Sequence, residues 1–199
     1  MTKTNSRVSQ YPIDPLFLDR WSPRAFTGEV IDESDLLTIL DAAHWAPSSA
    51  NQQPWRFVYA LNSSEDWSKF VDLLVESNQE WAKNASALIY VVSRSFNGDF
   101  SEGRKSYTHS FDAGTAWGYL ALQARLSGFY AHGMGGIKHE EIHKAFSIPN
   151  SYRVEAGVAL GRLADKSVLS ERNQEREVPS LRKPLSEVAF RGKFIANWS

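Results

Sequence analysis

Residues 46–57 read Ala46-Pro47-Ser48-Ser49-Ala50-Asn51-Gln52-Gln53-Pro54-Trp55-Arg56-Phe57, and they carry most of what the chain discloses. Pro47 disfavours helical backbone at the residue before it, so the preceding helix ends near Trp45 or Ala46. Between Pro47 and Pro54 lie Ser48, Ser49, Asn51, Gln52 and Gln53. Hydroxyls and amides offer both donors and acceptors, which suits the edge of a polar ring. The plainer explanation is an ordinary capping loop. Arg56 to Leu61 then alternates as a strand does.

Upstream, Asp32 suits an N-cap, Ile31 and Leu36 stand where a hydrophobic staple places them, and Leu36, Leu37, Leu40 and Ala43 recur at helical spacing. Before that, Asp14 and Pro15 open a short helix through Leu16, Phe17 and Leu18, which leads into Arg20-Trp21-Ser22-Pro23-Arg24. Downstream, Trp67, Phe70, Val71, Leu74 and Trp81 mark one face of a third helix, and Ala87 to Val92 reads as a strand buried on both faces. Asn97 to Lys105 reads as a mobile polar loop. A helix rich in small residues runs from about Phe111 to Ser127 and stops at Gly128. A short strand near Tyr130 follows, then a turn at Gly133, Gly135 and Gly136, a short helix before Pro149, and an alternating strand from Val154 to Leu160.

The chain has 199 residues, net charge −1 and no cysteine, with 42% hydrophobic and 23% charged residues. That is globular composition, long enough for a core and consistent with a single domain over 1–199. Residues 1–13 are expected to be flexible and 165–199 to form an extended tail. Absent cysteine excludes thiolate nucleophiles, iron–sulfur clusters and sulfur-ligated zinc. Near-neutral charge argues against a nucleic-acid binder held by phosphate attraction. Neither a signal-peptide core nor a membrane-length apolar run appears, so cytoplasm is the expected compartment. Helices and strands intermix, giving α/β or α+β.

Several groups could carry chemistry. His139-Glu140-Glu141-Ile142-His143 matches the zinc-peptidase pattern, but its apolar residues Ile137, Ile142, Ala145 and Phe146 already account for a surface helix. Gly133, Gly135 and Gly136 either make a tight turn or let backbone approach a flat ligand closely. They do not form a dinucleotide-binding fingerprint. Arg20 and Arg24, with Ser22 between, suit a phosphate dianion or are simply solvated. Arg182-Lys183-Pro184-Leu185 is a second compact basic group.

Taken in order, these segments resemble the bacterial FMN-dependent nitroreductase family. The resemblance runs from about Asp14 to Leu185. It rests on Arg20-x-Ser22-x-Arg24, on the serine–amide stretch from Ala46 to Phe57, and on Met134-Gly135-Gly136 followed by Ile148-Pro149. It implies an α+β three-layer fold with a central mixed, mainly antiparallel sheet flanked by helices, and a C-terminal tail embracing a partner subunit. It also implies a homodimer with FMN at the interface. Arg20 and Arg24 would hold the FMN phosphate with Ser22 nearby, and Arg182, or Lys183 after a one-residue slip, would reach the same group. Pro47, Ser48, Ser49 and Asn51 would come from the partner subunit and face the flavin. Asn78 would lie near the ring or ribityl chain, and Gly135 and Gly136 would approach N5.

The implied activity is hydride transfer from NAD(P)H through FMN to a nitroaromatic, quinone or related acceptor, in ping-pong order. The cofactor supplies the chemistry, so no catalytic side chain is nominated. A flavin-binding sensor or carrier without turnover would use the same residues. A zinc peptidase through His139, Glu140 and His143 is the remote alternative.

Overall fold

The computed structural model describes residues 5–97 and 103–195. Asp14 opens the first helix as expected: its Oδ1 accepts from Leu16 N–H at 2.8 Å, and α1 (Pro15–Asp19) follows. The helix α2 (Glu33–His44) begins after Asp32, with Ile31 and Leu36 both buried in one cluster, and Trp45 caps its end before Pro47. Its inward face is Leu36, Ile39, Leu40 and Ala43; Leu37 is exposed, because helical periodicity places Ile39 rather than Leu37 toward the core.

Beyond the loop come β1 (Trp55–Leu61), α3 (Trp67–Asp72) and α4 (Glu76–Ala82). The single helix expected around Trp67 to Trp81 is thus two. Leu74 leaves the helix to bridge Ile137, and Val75 N–H donates to Gly136 O at 3.1 Å, so a distant strand end captures the backbone between them. Next are β2 (Ala87–Arg94), β3 (Phe96–Asn97) and β4 (Arg104–Lys105). The last two pair antiparallel, so the ends of the segment expected to be a loop form a small ribbon; its residues 98–102 lie outside the described ones. Then follow α5 (His109–Leu126), β5 (Tyr130–Met134), α6 (His139–Ala145), β6 (Tyr152–Gly161) and α7 (Glu171–Glu175). Gly133 is inside β5, not in the turn after it. Of the tail expected over 165–199, residues 196–199 lie outside the described ones.

The sheet order is β1-β2-β6-β5, every pairing being antiparallel. Alternation along β2 builds two cores: Ala87, Ile89 and Val91 join α2 and α5 on one face, while Leu88, Tyr90 and Val92 join α3, α4 and α6 on the other. This is an α+β fold of three layers.

One irregularity matters. Opposite Val91 and Val92 stand Ala156 and Val154, leaving Glu155 as an extra residue in β6. Side-chain parity therefore changes there: Val154 joins the same layer as Ala159, while Val158 and Leu160 join the other.

Candidate functional site

The arginines of the early motif separate. Arg20 follows α1, where its guanidinium is half-buried and its Nη1 lies 3.5 Å from Ser22 Oγ. Burial lowers its pKa, and the charges of Arg7 and Arg182 lower it further. Arg182, from the tail, therefore joins Arg20, whereas Lys183 pairs with Glu187 at 3.8 Å. Like charges gathered in this way favour an anion between them.

Arg24 belongs to a different group. The buried Glu177 carboxylate accepts from the Arg24 and Ala25 backbone N–H groups at 2.8 Å and stands 3.9 Å from the Arg24 guanidinium. Burial and Arg176 lower the Arg24 pKa, while Glu177 raises it. Close to this pair, the His132 ring lies tilted by 37° against Trp81, their centroids 4.6 Å apart, and its Nδ1 contacts Pro23 O at 2.8 Å. A carbonyl oxygen only accepts, so Nδ1 carries the proton. Burial pushes the His132 pKa down to about 4, with Arg24 and Arg176 assisting, so the ring is neutral at pH 7.

Beside Arg20 opens a cleft of about 480 Å³ lined by Phe17, Arg20, Ser22, Gly133 and the α5 residues Trp117, Gly118, Ala121 and Leu122. Gly133 packs tightly there: a Cβ would stand 3.1 Å from Trp117 Cζ2, so the indole would have to give by a few tenths of an ångström. From Gly133 the chain runs through Met134 to Gly135 and Gly136, at most about 10 Å away when extended. At that end Asn78 Nδ2 donates to Gly136 O at 3.0 Å, uniting two of the residues expected in the site.

The serine–amide loop lies elsewhere. Ala50, Asn51 and Gln53 adopt φ of 48°, 54° and 47°, which non-glycine residues adopt at a cost. The loop is held from both sides: Gln53 N–H donates to Ser48 Oγ at 2.9 Å, and Ser49 N–H donates to Asp112 Oδ2 at 3.2 Å. Asp112 is buried in the first turn of α5 and also accepts from Thr108 Oγ1 at 3.1 Å. A nearby series of hydrogen bonds within the same chain ties this helix to the sheet. Ser93 gives its one hydroxyl proton to Glu155 at 2.5 Å, so His109 Nδ1, 2.7 Å from Ser93 Oγ, must donate to it. Pro47, Ser49 and Asn51 themselves face outward.

Asp112 and Ala121 are about 13 Å apart along α5 at the rise of an α-helix. Within one chain, then, the loop sits at one end of α5 and the Arg20 cleft lies beside its other half. Between them α5 presents Phe111, Gly114, Thr115, Gly118 and Leu122 at helical spacing, a face with exposed Phe111 and, among the described residues, no Cβ neighbour within 4 Å at Gly114 or Gly118.

The histidines of the zinc-peptidase pattern turn to separate backbone carbonyls, His139 Nδ1 to Val154 O and His143 Nδ1 to Ile148 O. Among the described residues no group of three or more His, Cys, Asp or Glu could hold a metal. No helix among them is long and apolar enough to cross a membrane. Arg7, Asp112 and Glu177 stand in no sequence motif. Each acts on backbone atoms far along the chain, so no local motif signals it.

A model of the nitroreductase family matches residues 18–80. A 15.4 kDa protein from the ask 5′ region of Mycolicibacterium smegmatis is 35% identical over 136 residues, covering 66% of this chain and 86% of that protein. A Bacillus subtilis relative, provisionally named NAD(P)H nitroreductase YdgI, is 27% identical over 176 residues, covering 71% and 83%. A crystal structure described as an oxidoreductase containing FMN superposes with a TM-score of 0.95 at 59% identity, over 99% of this chain and 100% of that one. The chain belongs to the nitroreductase family, a family of oxidoreductases.

Proposed function

We propose that this protein is an FMN-dependent oxidoreductase that takes hydride from NAD(P)H and passes it to a nitroaromatic, quinone or related small acceptor, acting in the cytoplasm as a homodimer. The observation that carries the reading is the division of the site along α5. Arginines that want a phosphate lie at one half, and a strained, outward-facing serine loop lies at the other end. Two copies packed antiparallel through the Phe111–Leu122 face would bring the loop of one over the Arg20 cleft of the other.

The residues fit FMN. Arg20 and Arg182 supply fork-shaped donors for the phosphate with Ser22 beside them. Gly133 keeps the cleft open, and Gly136 sits where a Cβ would strike Asn78 Nδ2 at 2.7 Å, so backbone alone lines that end. The homologue described as containing FMN, at 59% identity, supports the same assignment.

Bound there, FMN would supply a ring able to accept and return hydride. The chain's own work is placement. Arg20, Ser22 and Arg182 anchor the phosphate; Asn78 holds the Gly135–Gly136 turn at its level; Pro47, Ser48, Ser49 and Asn51 of a second copy close over the ring. Reductant and acceptor take the same stacking place in turn, a ping-pong order, which requires contact at about 3–3.5 Å.

Purified protein is expected to be yellow, to bleach under nitrogen with NADH or NADPH, and to recover colour with a quinone or nitroaromatic. Colourless protein that takes up no added FMN would overturn the reading. Bleaching without recovery by any acceptor would point to a sensor or carrier.

A further inference from the structure

The segment expected to be flexible contains a buried arginine. Arg7 is 7% exposed, although residues 5–13 form neither helix nor strand. Its Nε donates to Ser180 O at 2.9 Å, and its Nη1 donates to Arg20 O at 2.8 Å and Leu18 O at 3.3 Å. Asn5 braces it from behind: its Oδ1 accepts from Arg7 N–H at 2.9 Å, and its Nδ2 donates to Leu18 O at 3.0 Å. The carbonyl of Ser180 also accepts from Arg182 Nη1 at 3.3 Å, so two guanidinium groups share one oxygen.

Arg7 therefore grips the backbone of both segments that carry the arginines of the anion site. Residues 177–184 have no helix or strand of their own, so bonds such as these must carry their docking. The arrangement is costly without an anion. Burial and Arg182 both disfavour the charge on Arg7, and Arg7 in turn disfavours that on Arg20. A planar fork meets several carbonyls at fixed angles, which a single ammonium does not.

We propose that Arg7 is a positioning residue of the anion site, its guanidinium holding the Ser180 and Arg20 carbonyls so that Arg182 and Arg20 converge on one phosphate group. This rests on the reading that the site receives the phosphate of FMN. It makes the N-terminal segment part of cofactor binding, with its docking and the phosphate each stabilising the other.

The experiment is titration of the full-length, flavin-stripped protein with FMN and with riboflavin, which has the same ring and chain but no phosphate. Wild type, Arg7→Lys and Arg7→Met are compared, with urea midpoints recorded for each. Both variants are expected to weaken FMN binding about ten-fold or more, the scale of a charge-assisted bond, while riboflavin binding stays within about two-fold. Lysine retains the charge without the fork. An R7K protein that binds FMN as tightly as wild type would therefore overturn the positioning role. So would equal losses for FMN and riboflavin in both variants, which would make Arg7 a general support of the fold. A wild-type protein that binds FMN no better than riboflavin would instead overturn the phosphate site itself, a result separable from the others.

Discussion

Asn78 Nδ2 and Val75 N–H both donate to the carbonyl of Gly136, at 3.0 and 3.1 Å, binding the start of α4 to the turn after β5. A Cβ on Gly136 would meet Asn78 Nδ2 at 2.7 Å and Val75 Cγ2 at 2.8 Å, and Val75 is stiff at χ1. Gly136→Ala is expected to lose about 1–3 kcal/mol in urea denaturation. Among the described residues a Cβ on Gly135 would meet nothing within 4 Å, so Gly135→Ala should stay within about 0.5 kcal/mol of wild type. If backbone at Gly135 approaches the flavin, the second variant will nonetheless bind FMN more weakly.

The two arginines of the early motif should respond differently. Arg20→Ala is expected to weaken FMN binding by about 1.5–3 kcal/mol, with reduced salt dependence. The stronger structural effect belongs to Glu177. Removing its carboxylate strands the Arg24 and Ala25 N–H groups and the Arg24 guanidinium, so Glu177→Ala should cost about 3–5 kcal/mol. Glu177→Gln, which keeps an acceptor, should cost less. Flavin titration and urea unfolding separate the two cases.

His132 makes stability depend on pH. Its folded pKa is about 4, below the ordinary 6.5, so the unfolded chain binds the proton first. Stability is full above about pH 6.5 and falls as pH drops toward 4, by roughly 3 kcal/mol in total. His132→Asn keeps a donor for Pro23 O and removes the titration. Its urea midpoint should change less than that of wild type between pH 7.5 and pH 5; parallel loss in both would refute the assignment.

Asp112 supports the serine loop through an acceptor oxygen. Asp112→Asn retains that oxygen for Ser49 N–H and Thr108 Oγ1 and should keep near-normal turnover. Asp112→Ala leaves the Ser49 N–H and the Thr108 hydroxyl without it, and should lose about 1–3 kcal/mol of stability together with turnover. Equal turnover in the two variants would show that the loop does not depend on this bond.

Gly118 offers a test of the paired α5 helices. The isolated chain has room for a side chain there, since among the described residues a Cβ meets nothing within 4 Å. Gly118→Glu is expected to fold yet block close approach by a second copy. Light scattering should then report one 22.4 kDa chain, where wild type reports two.

What could be read from sequence was what is local. Asp14 capping α1, Pro47 ending α2 and Gly128 ending α5 with φ of 82° are each decided within a few residues, and each appears as expected. The division of residues 67–82 into α3 and α4 was not legible, because it follows from Leu74 meeting Ile137 across the fold. Arg20 was visible as a cation, but its companionship with Arg182 and its distance from the Arg24–Glu177 group depend on where the tail returns. Arg7 was least legible: a polar N-terminal stretch gives no hint that Ser180 will supply its acceptor.

The extra residue at Glu155 has a consequence for how the molecule tolerates change. In a strand paired without the bulge, Glu155 would share the facing of Ala159 and drive a carboxylate into the layer of Leu88 and Tyr90. With it, the carboxylate meets Ser93, Ser110 and Arg153 instead. Strand β6 thus behaves as two half-strands of opposite phase joined at one residue. A length change before Glu155 would be absorbed at that joint, leaving Val158 and Leu160 in place. Loss of the joint would exchange the in and out of everything on one side of it.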